Sequence, residues 1–162
     1  MTNPDQPDQA DQPERVEHRL ERTYTVSATP EQVWDAIATA EGISAWMVPT
    51  RLDPQIGGAV SFDVGFWSHG IVTDYTPTRR FAYAEPWPIA DHMPTVHHDV
   101  SSLTPIATEF LIESASGGSC VIRVVSSAYG SGADWENEFF AEMIEGWLAM
   151  LDNLATHFNE AM

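Results

Sequence analysis

Apolar and polar residues alternate along most of the chain, which is the pattern of β-strands that bury one face. Seven runs of this kind predict seven strands, at 19–27, 48–53, 59–65, 68–76, 80–87, 105–114 and 120–128. The last two runs flank Gly117 and Gly118, which predicts a hairpin between them. Because short turns return the chain beside the preceding strand, we expect a largely antiparallel sheet.

Three segments carry helical signals instead. Thr29-Pro30-Glu31-Gln32 combines an N-cap, a proline at the first helical position and a capping-box glutamine, which predicts a helix to about residue 38. A second short helix is predicted over 40–46. The longest helix is predicted over 134–158, where an apolar stripe recurs every three or four residues at Phe139, Met143, Trp147, Leu151, Leu154 and Phe158. A stripe of this bulk must pack on a large apolar sheet face.

This order of elements predicts an α+β fold. A curved antiparallel sheet of about seven strands wraps around the long C-terminal helix, with two short helices between strands 1 and 2. Residues 1–17 repeat Pro-Asp-Gln triplets and offer little apolar surface to bury, so they are predicted to form a disordered tail. Residues 18–162 are long enough to form one domain with its own core.

The charge balance argues against some classes of binding partner. The chain has 24 Asp and Glu against seven Arg and no Lys, a net charge of −17, of which 18–162 keep −13. Such a surface repels phosphate backbones and anionic lipids, so we expect no nucleic-acid or membrane partner. Seven of the acids lie on 134–160, and we expect them to face water. No secretory signal and no run of about 18 apolar residues occur, which favours a cytoplasmic protein.

Motifs that would carry chemistry are sparse. One cluster resembles a set of metal ligands, namely Asp91, His92, His97, His98 and Asp99. Adjacent residues of a strand point to opposite faces, and the helical His spacing of zinc sites is missing. Cys120 has no evident His partner, and neither a nucleophile elbow nor a phosphate-binding loop occurs. We therefore assign no metal, no cofactor and no catalytic residue.

Several short motifs occur in an order that resembles a known family. They are Val33-Trp34-Asp35-Ala36-Ile37, Trp46, Gly57-Gly58, Gly70-Ile71-Val72 followed by Pro77, Thr108-Glu109-Phe110, Gly146-Trp147-Leu148 and Leu151-Asp152-Asn153-Leu154. Together they resemble the START-like, helix-grip superfamily (SRPBCC), and within it the domain homologous to the C-terminal part of activators of the heat-shock protein 90 ATPase. The resemblance covers about 19–158 and implies a deep apolar cavity between the sheet and the long helix.

The implied cavity gives the many aromatic side chains a function. Flat rings suit a lipid-, aromatic- or polyketide-like ligand, and a few polar groups among them would orient it. The candidate ligand-binding residues are Tyr24, Phe62, Phe66, Trp67, His69, Phe81, Tyr83, Glu85, Trp87, Met143 and Trp147. The alternation alone does not say which strand faces point inward.

These observations favour the binding of a small hydrophobic molecule. An alternative is a cyclase or aromatase that uses a buried polar residue of the cavity. A second alternative is a protein-interaction domain, either a chaperone regulator or a homodimer. Eukaryotic activators carry a further N-terminal domain that contacts the chaperone, whereas here a Pro/Asp/Gln tail precedes the domain, so chaperone contact is not favoured.

Overall fold

A computed structural model of the chain describes residues 16–65, 67–86, 104–115, 117–130 and 134–160. Within these ranges the chain forms seven strands and three helices. In chain order they are β1 Val16–Val26, α1 Pro30–Ile37, α2 Ala40–Trp46, β2 Thr50–Leu52, β3 Ala59–Asp63, β4 Trp67–Thr76, β5 Arg80–Glu85, β6 Ile106–Ala115, β7 Ser119–Gly130 and α3 Asp134–Glu160. Each of them corresponds to a predicted element, with boundaries that agree within about three residues.

The strands form one antiparallel sheet in the order β1-β7-β6-β5-β4-β3-β2. From β2 to β7 each strand pairs with the next one, whereas β1 pairs with β7. In the β6–β7 hairpin Gly117 and Gly118 both have φ of 75°, a conformation that glycine adopts without a steric penalty. With α1 and α2 between β1 and β2 and α3 at the end, the predicted α+β helix-grip fold is confirmed.

The two short helices form as their caps predict. Thr29 Oγ1 accepts a hydrogen bond from the Gln32 amide at 3.2 Å, and Gln32 Oε1 accepts one from the Thr29 amide at 2.9 Å, which completes the capping box. At the end of α2, Trp46 donates its indole N–H to the carbonyl oxygen of Ala36 at 2.8 Å. This bond ties α2 to α1, and both helices bury apolar residues in the main core.

The long helix α3 packs its apolar stripe on the sheet. The buried apolar side chains are Phe140, Trp147, Leu151, Leu154 and Phe158, with Phe139, Met143, Ile144 and Leu148 half-buried beside them. The expectation that every acid of this helix faces water is wrong for Glu136, which is 0% exposed. Glu136 lies one turn before Phe140 on the buried face, and its Oε1 is 3.1 Å from Nε2 of His18 on β1.

Strand alternation decides which side chains face α3. On β4, Gly70 and Val72 are buried, whereas His69 and Ile71 are exposed. Val72 lies opposite Tyr83 of β5, so Tyr83 faces inward, and Glu85 follows on the same side two residues later. This assignment of faces places the polar groups of β5 beneath the long helix.

The start of β1 differs from the prediction. The strand begins at Val16, which lies opposite Gly130, so Val16 and Glu17 belong to the sheet. Residues 1–15 of the predicted tail lie outside the described residues, and so does the stretch 88–103 with its three histidines.

Candidate functional site

A cavity of about 240 Å³ lies between the inner face of the sheet and α3. Strands β3 to β7 supply its floor and α3 supplies one wall. The lining is mostly apolar and consists of Met47, Phe62, Val64, Ser68, Tyr83, Glu85, Ile106, Thr108, Ser126, Glu142, Met143, Gly146, Trp147 and Met150. Val64, in the turn after β3, is 45% exposed and Glu142 is exposed as well, so the cavity extends to the surface between that turn and α3.

Small side chains leave this space open. Ser68, Thr108 and Ser126 lie on the sheet at positions where larger apolar residues would fill the volume. Gly146 lines the opposite wall, and a Cβ at this position would meet no atom within 4 Å. Small residues at a few lining positions therefore contribute to the open volume of the cavity.

A row of hydrogen-bonded side chains crosses the cavity floor. Tyr83, Thr108 and Ser126 lie opposite one another on β5, β6 and β7. The Tyr83 hydroxyl bonds to Thr108, whose Oγ1 is 2.9 Å from Ser126 Oγ. Trp147 of α3 donates its indole N–H to Ser126 Oγ at 3.2 Å. In the described part of the chain every buried side-chain nitrogen and oxygen has a partner, so this row is fully satisfied.

The phenol of Tyr83 is neutral in this setting. Burial, and after it the charge of Glu85, raise the pKa of Tyr83 well above its usual value, against a smaller opposing effect of the bond to Thr108. Tyr83 is 3% exposed. The cavity floor therefore presents hydroxyl groups without charge.

Glu85 lies beside this row, at the end of β5. Its Oε2 accepts a hydrogen bond from Ser68 Oγ at 3.3 Å. Gly70 on the next strand makes room for it, since a Cβ there would lie 3.2 Å from the Glu85 Cβ and 2.7 Å from a backbone oxygen. Burial raises the pKa of Glu85 to about 7, while the bond from Ser68 acts in the opposite direction. Near neutral pH the group is present both as acid and as carboxylate.

Among the residues described, the cavity has acidic groups and no basic ones. Glu142 on α3 is the second carboxyl group of the lining. Six of the seven arginines lie in the described ranges, and none of them lines the cavity: Arg19, Arg22, Arg51, Arg79, Arg80 and Arg123. Arg80 pairs with Asp74 and Glu109. The local charge of the site is therefore negative.

Five of the candidate residues meet at the cavity: Phe62, Tyr83, Glu85, Met143 and Trp147. The rings of Phe62 and Tyr83 lie side by side, with centroids 5.2 Å apart. Trp147 is buried on the side of α3 that faces the sheet, and its indole N–H donates a hydrogen bond to Ser126 at the end of the hydrogen-bonded row. These five combine an apolar surface with one phenol and one carboxyl group.

Two inward-facing candidates do not line this cavity. Tyr24 is half-buried on β1 and packs against the main core. Burial, and after it the charge of Asp152 on α3, raise the pKa of Tyr24. Phe81 is 0% exposed, with its ring centroid 6.4 Å from that of Phe110, so it belongs to the packed core. The aromatic rings of Trp34, Tyr75, Tyr83 and Phe110 surround Phe81.

Two further candidates lie on the outer face of β4. Trp67 and His69 flank Ser68, and because Ser68 lines the cavity, both neighbours point away from it. Trp67 stacks under the guanidinium of Arg51, 4.2 Å from the ring centroid. His69 Nδ1 lies 2.9 Å from Ser61 Oγ. These contacts assign Trp67 and His69 to the sheet surface.

The remaining predicted residues are not part of the structural description. Phe66 and Trp87 lie outside the described residues, as do His92, His97 and His98. Across the ranges that are described, no three His, Cys, Asp or Glu side chains come close enough together to hold a metal ion. In the same ranges no helix is both long enough and apolar enough to cross a membrane.

Sequence reasoning missed nine lining residues: Met47, Val64, Ser68, Ile106, Thr108, Ser126, Glu142, Gly146 and Met150. Most are small or apolar, and nothing in their local sequence marks them. Their positions follow from strand register, which places Thr108 and Ser126 in line with Tyr83. The sequence did contain one signal for the site. The alternation of residues along β5 places Tyr83 and Glu85 on the same face of the strand, although it does not say whether that face points inward.

Comparison with known proteins agrees with this architecture. A family model described as Activator of Hsp90 ATPase homolog 1-like protein matches residues 27–159. A comparison with curated protein sequences finds no match. The fold is similar to the solved structure of protein MLL2253 from Mesorhizobium loti, with TM-score 0.68, 15% identity and coverage of 90% of this chain and 99% of that chain.

Two other solved structures show the same similarity. Protein BH1534 from Bacillus halodurans has TM-score 0.66 and 16% identity, over 89% of this chain and 98% of that one. The Aha1 dimer from Colwellia psychrerythraea has TM-score 0.62 and 15% identity, over 87% of this chain and 96% of that one. Identities this low establish the fold, whereas the family model spans most of the sequence. The chain therefore belongs to the Activator of Hsp90 ATPase homolog 1-like family, within the START-like (SRPBCC) superfamily.

Proposed function

We propose that the chain binds a small, mainly apolar molecule in the cavity between the sheet and α3. One observation carries this proposal, namely a mostly apolar cavity of about 240 Å³ beside an otherwise close-packed core. Empty apolar space forfeits packing contacts, and a bound apolar molecule restores them. The rings of Phe62 and Trp147 supply flat apolar surface, and Glu85 supplies a polar group that orients a ligand.

Native mass spectrometry of the protein purified from its own host tests the proposal. We expect a bound small molecule whose mass is lost when the protein is denatured. In addition, N-phenyl-1-naphthylamine, an uncharged fluorophore, should bind and brighten, because the cavity removes it from water. The absence of both a bound mass and fluorophore binding would refute the proposal.

A cavity-filling variant locates the binding. Met143→Trp enlarges a lining side chain and should strongly weaken fluorophore binding. Ala149→Trp adds the same ring to the exposed side of α3 and should leave binding unchanged. Equal binding by both variants would place the fluorophore elsewhere on the protein.

A second candidate function is a cyclase or aromatase, which one specific observation favours. Glu85 lines the cavity, and burial raises its pKa to about 7, the range in which a carboxyl group serves best as general acid or base at neutral pH. In this function Glu85 would protonate a carbonyl oxygen of a polyketide-like substrate. Spectroscopic turnover of a poly-β-carbonyl thioester, lost in Glu85→Gln while fluorophore binding is kept, would support it. Unchanged absorbance with the unaltered protein would exclude this substrate class.

Self-association is also a proposal. One similar solved structure is described as a dimer, and among the described residues Ile56 and Ile71 are large apolar side chains that are 66% and 57% exposed. Light scattering coupled to size-exclusion chromatography would measure the mass directly. A pull-down with the host's heat-shock chaperone would test for chaperone contact.

A further inference from the structure

We infer that the ligand of this cavity is a cationic amphiphile, an apolar molecule whose protonated amine lies against the Glu85 carboxyl group. The inference rests on the proposed function and specifies the polar end of the ligand. It follows from three features of the site: the charge of its lining, the free side of one carboxyl group and the aromatic walls.

The lining charge is of one sign. Glu85 and Glu142 both line the cavity, and none of the arginines in the described ranges does. The chain has no lysine, and 87–103, the longest stretch between described ranges, contains Asp91, Asp99 and three histidines but neither Lys nor Arg. Among the described lining residues, a ligand that ends in a carboxylate or phosphate would meet like charge and no basic side chain to pair with, which costs binding free energy. A cationic ligand would instead be attracted by the carboxyl groups of the lining.

The geometry of Glu85 leaves one oxygen for the ligand. In the part of the chain that is described, Ser68 is its hydrogen-bond partner and occupies Oε2, so Oε1 is available. The titratable groups that share the cavity with it are Tyr83 on its own strand and Glu142 on α3. Tyr83 stays neutral because burial raises its pKa, and Glu142 adds negative potential from the opposite wall. An ammonium group can therefore donate to Oε1 and be attracted by both carboxylates.

The apolar walls suit the same ligand. Phe62, Tyr83 and Trp147 present ring surfaces to the cavity. Ring faces attract cations and also pack against an apolar body. Ser68, Thr108 and Ser126 are already bonded to protein groups, so the lining has few free donors for an anionic head group.

Three compounds with one apolar body distinguish the alternatives. They are 2-(1-naphthyl)ethylamine, 2-(1-naphthyl)ethanol and 1-naphthylacetate, which are cationic, neutral and anionic at pH 7.5. By isothermal titration calorimetry we expect the amine to bind at least about tenfold more tightly than the alcohol, as a hydrogen bond to a charged group provides. The carboxylate should bind most weakly.

Variants and pH assign the effect to Glu85. Glu85→Gln should weaken amine binding about tenfold and alcohol binding much less, because the amide oxygen of Gln still accepts a hydrogen bond from a neutral hydroxyl group. Glu145→Gln removes the same charge from an exposed position of α3 outside the cavity and should have little effect. Since the Glu85 pKa is about 7, amine affinity should rise several-fold from pH 6 to pH 8 in the unaltered protein and stay constant in Glu85→Gln.

Each outcome is decisive. Equal affinity for the amine and the alcohol, or tighter binding of the carboxylate, would overturn the cationic ligand while leaving the proposed binding function intact. Binding of none of the three compounds, together with no fluorophore binding and no bound molecule in the native mass spectrum, would overturn both. If Glu85→Gln does not fold, as judged by circular dichroism, the ratio of amine to alcohol affinity and its pH profile in the unaltered protein still decide the question.

Discussion

Replacing Glu85 by Gln should change how the stability of the fold depends on pH. Burial raises the pKa of Glu85 from 4.5 to about 7. For an acid whose pKa is higher in the folded chain than in the unfolded chain, folding favours the protonated form. Its stabilising contribution is therefore complete below about pH 4.5 and is lost as the pH rises through about 7. Glutamine has a similar shape and carries no charge at any pH.

The magnitude follows from the two pKa values. Their difference of about 2.5 corresponds to about 3 kcal/mol when the group is fully ionised, of which most develops between pH 5 and pH 8. Because the side chain is only half-buried, solvent screening reduces this value, and we expect about 2 kcal/mol. Relative to the unaltered protein, Glu85→Gln should gain this free energy of unfolding between pH 5 and pH 8.

Urea unfolding followed by circular dichroism measures the free energy of unfolding of Glu85→Gln and of the unaltered protein. The comparison is made at pH 5 and at pH 8, at constant ionic strength. Glu145→Gln is the matched control, because its carboxylate is exposed on α3 and remains in water in the folded and unfolded chain. We expect the difference in free energy of unfolding between Glu145→Gln and the unaltered protein to be nearly the same at pH 5 and at pH 8. A Glu85→Gln difference that is the same at pH 5 and pH 8 would show that water reaches this carboxyl freely, and the burial inferred for Glu85 would be wrong.

Further predictions concern the packing around the cavity. Ser126→Ala removes the shared partner of Thr108 and Trp147, and should lower the free energy of unfolding by about 2 kcal/mol in urea titrations; a loss below about 0.5 kcal/mol would contradict the hydrogen-bonded row. Gly146→Ala should raise the thermal midpoint, because alanine gains up to about 1 kcal/mol in a helix and its Cβ meets no atom. Gly42→Ala should lower the midpoint, since its Cβ would collide with the preceding helix; midpoint shifts of the same sign in both glycine variants would contradict the different surroundings of the two positions.

Local signals predicted the elements of this fold well. The capping box at Thr29 and the spacing of apolar residues in α3 both act within a few residues of chain, so they are visible in sequence. The apolar–polar pattern predicted the order of the elements, and the family motifs occur in that same order. The start of β1 was placed too late because Val16 and Glu17 adjoin a polar tail, and the pairing with β7 that orders them is distant in sequence.

The residues of the site were predicted less completely, because they come together through the register of strands that are distant in sequence. Alternation placed Tyr83 and Glu85 on one face but did not say which face, so Trp67 and His69 were included as candidates although they lie outside. Ser126 owes its importance to its position opposite Thr108, which no local pattern encodes. Glu136 was grouped with exposed acids because its partner, His18, is 118 residues away.

The pairing of β1 with β7 also bears on how the protein is made. Among the described strands β1 lies at the edge of the sheet and pairs with β7 alone, so within this part of the chain its backbone has no sheet partner until residues 119–130 have been synthesised. At roughly 5–20 residues per second, the N-terminal strand waits on the order of ten seconds on the ribosome. During that time its charged outer positions, namely Glu17, Arg19 and Glu21, keep an unpaired strand soluble. Closure of the sheet is thus a late event in biosynthesis, and the buried contact between His18 and Glu136 forms only after the first turn of α3 has left the exit tunnel.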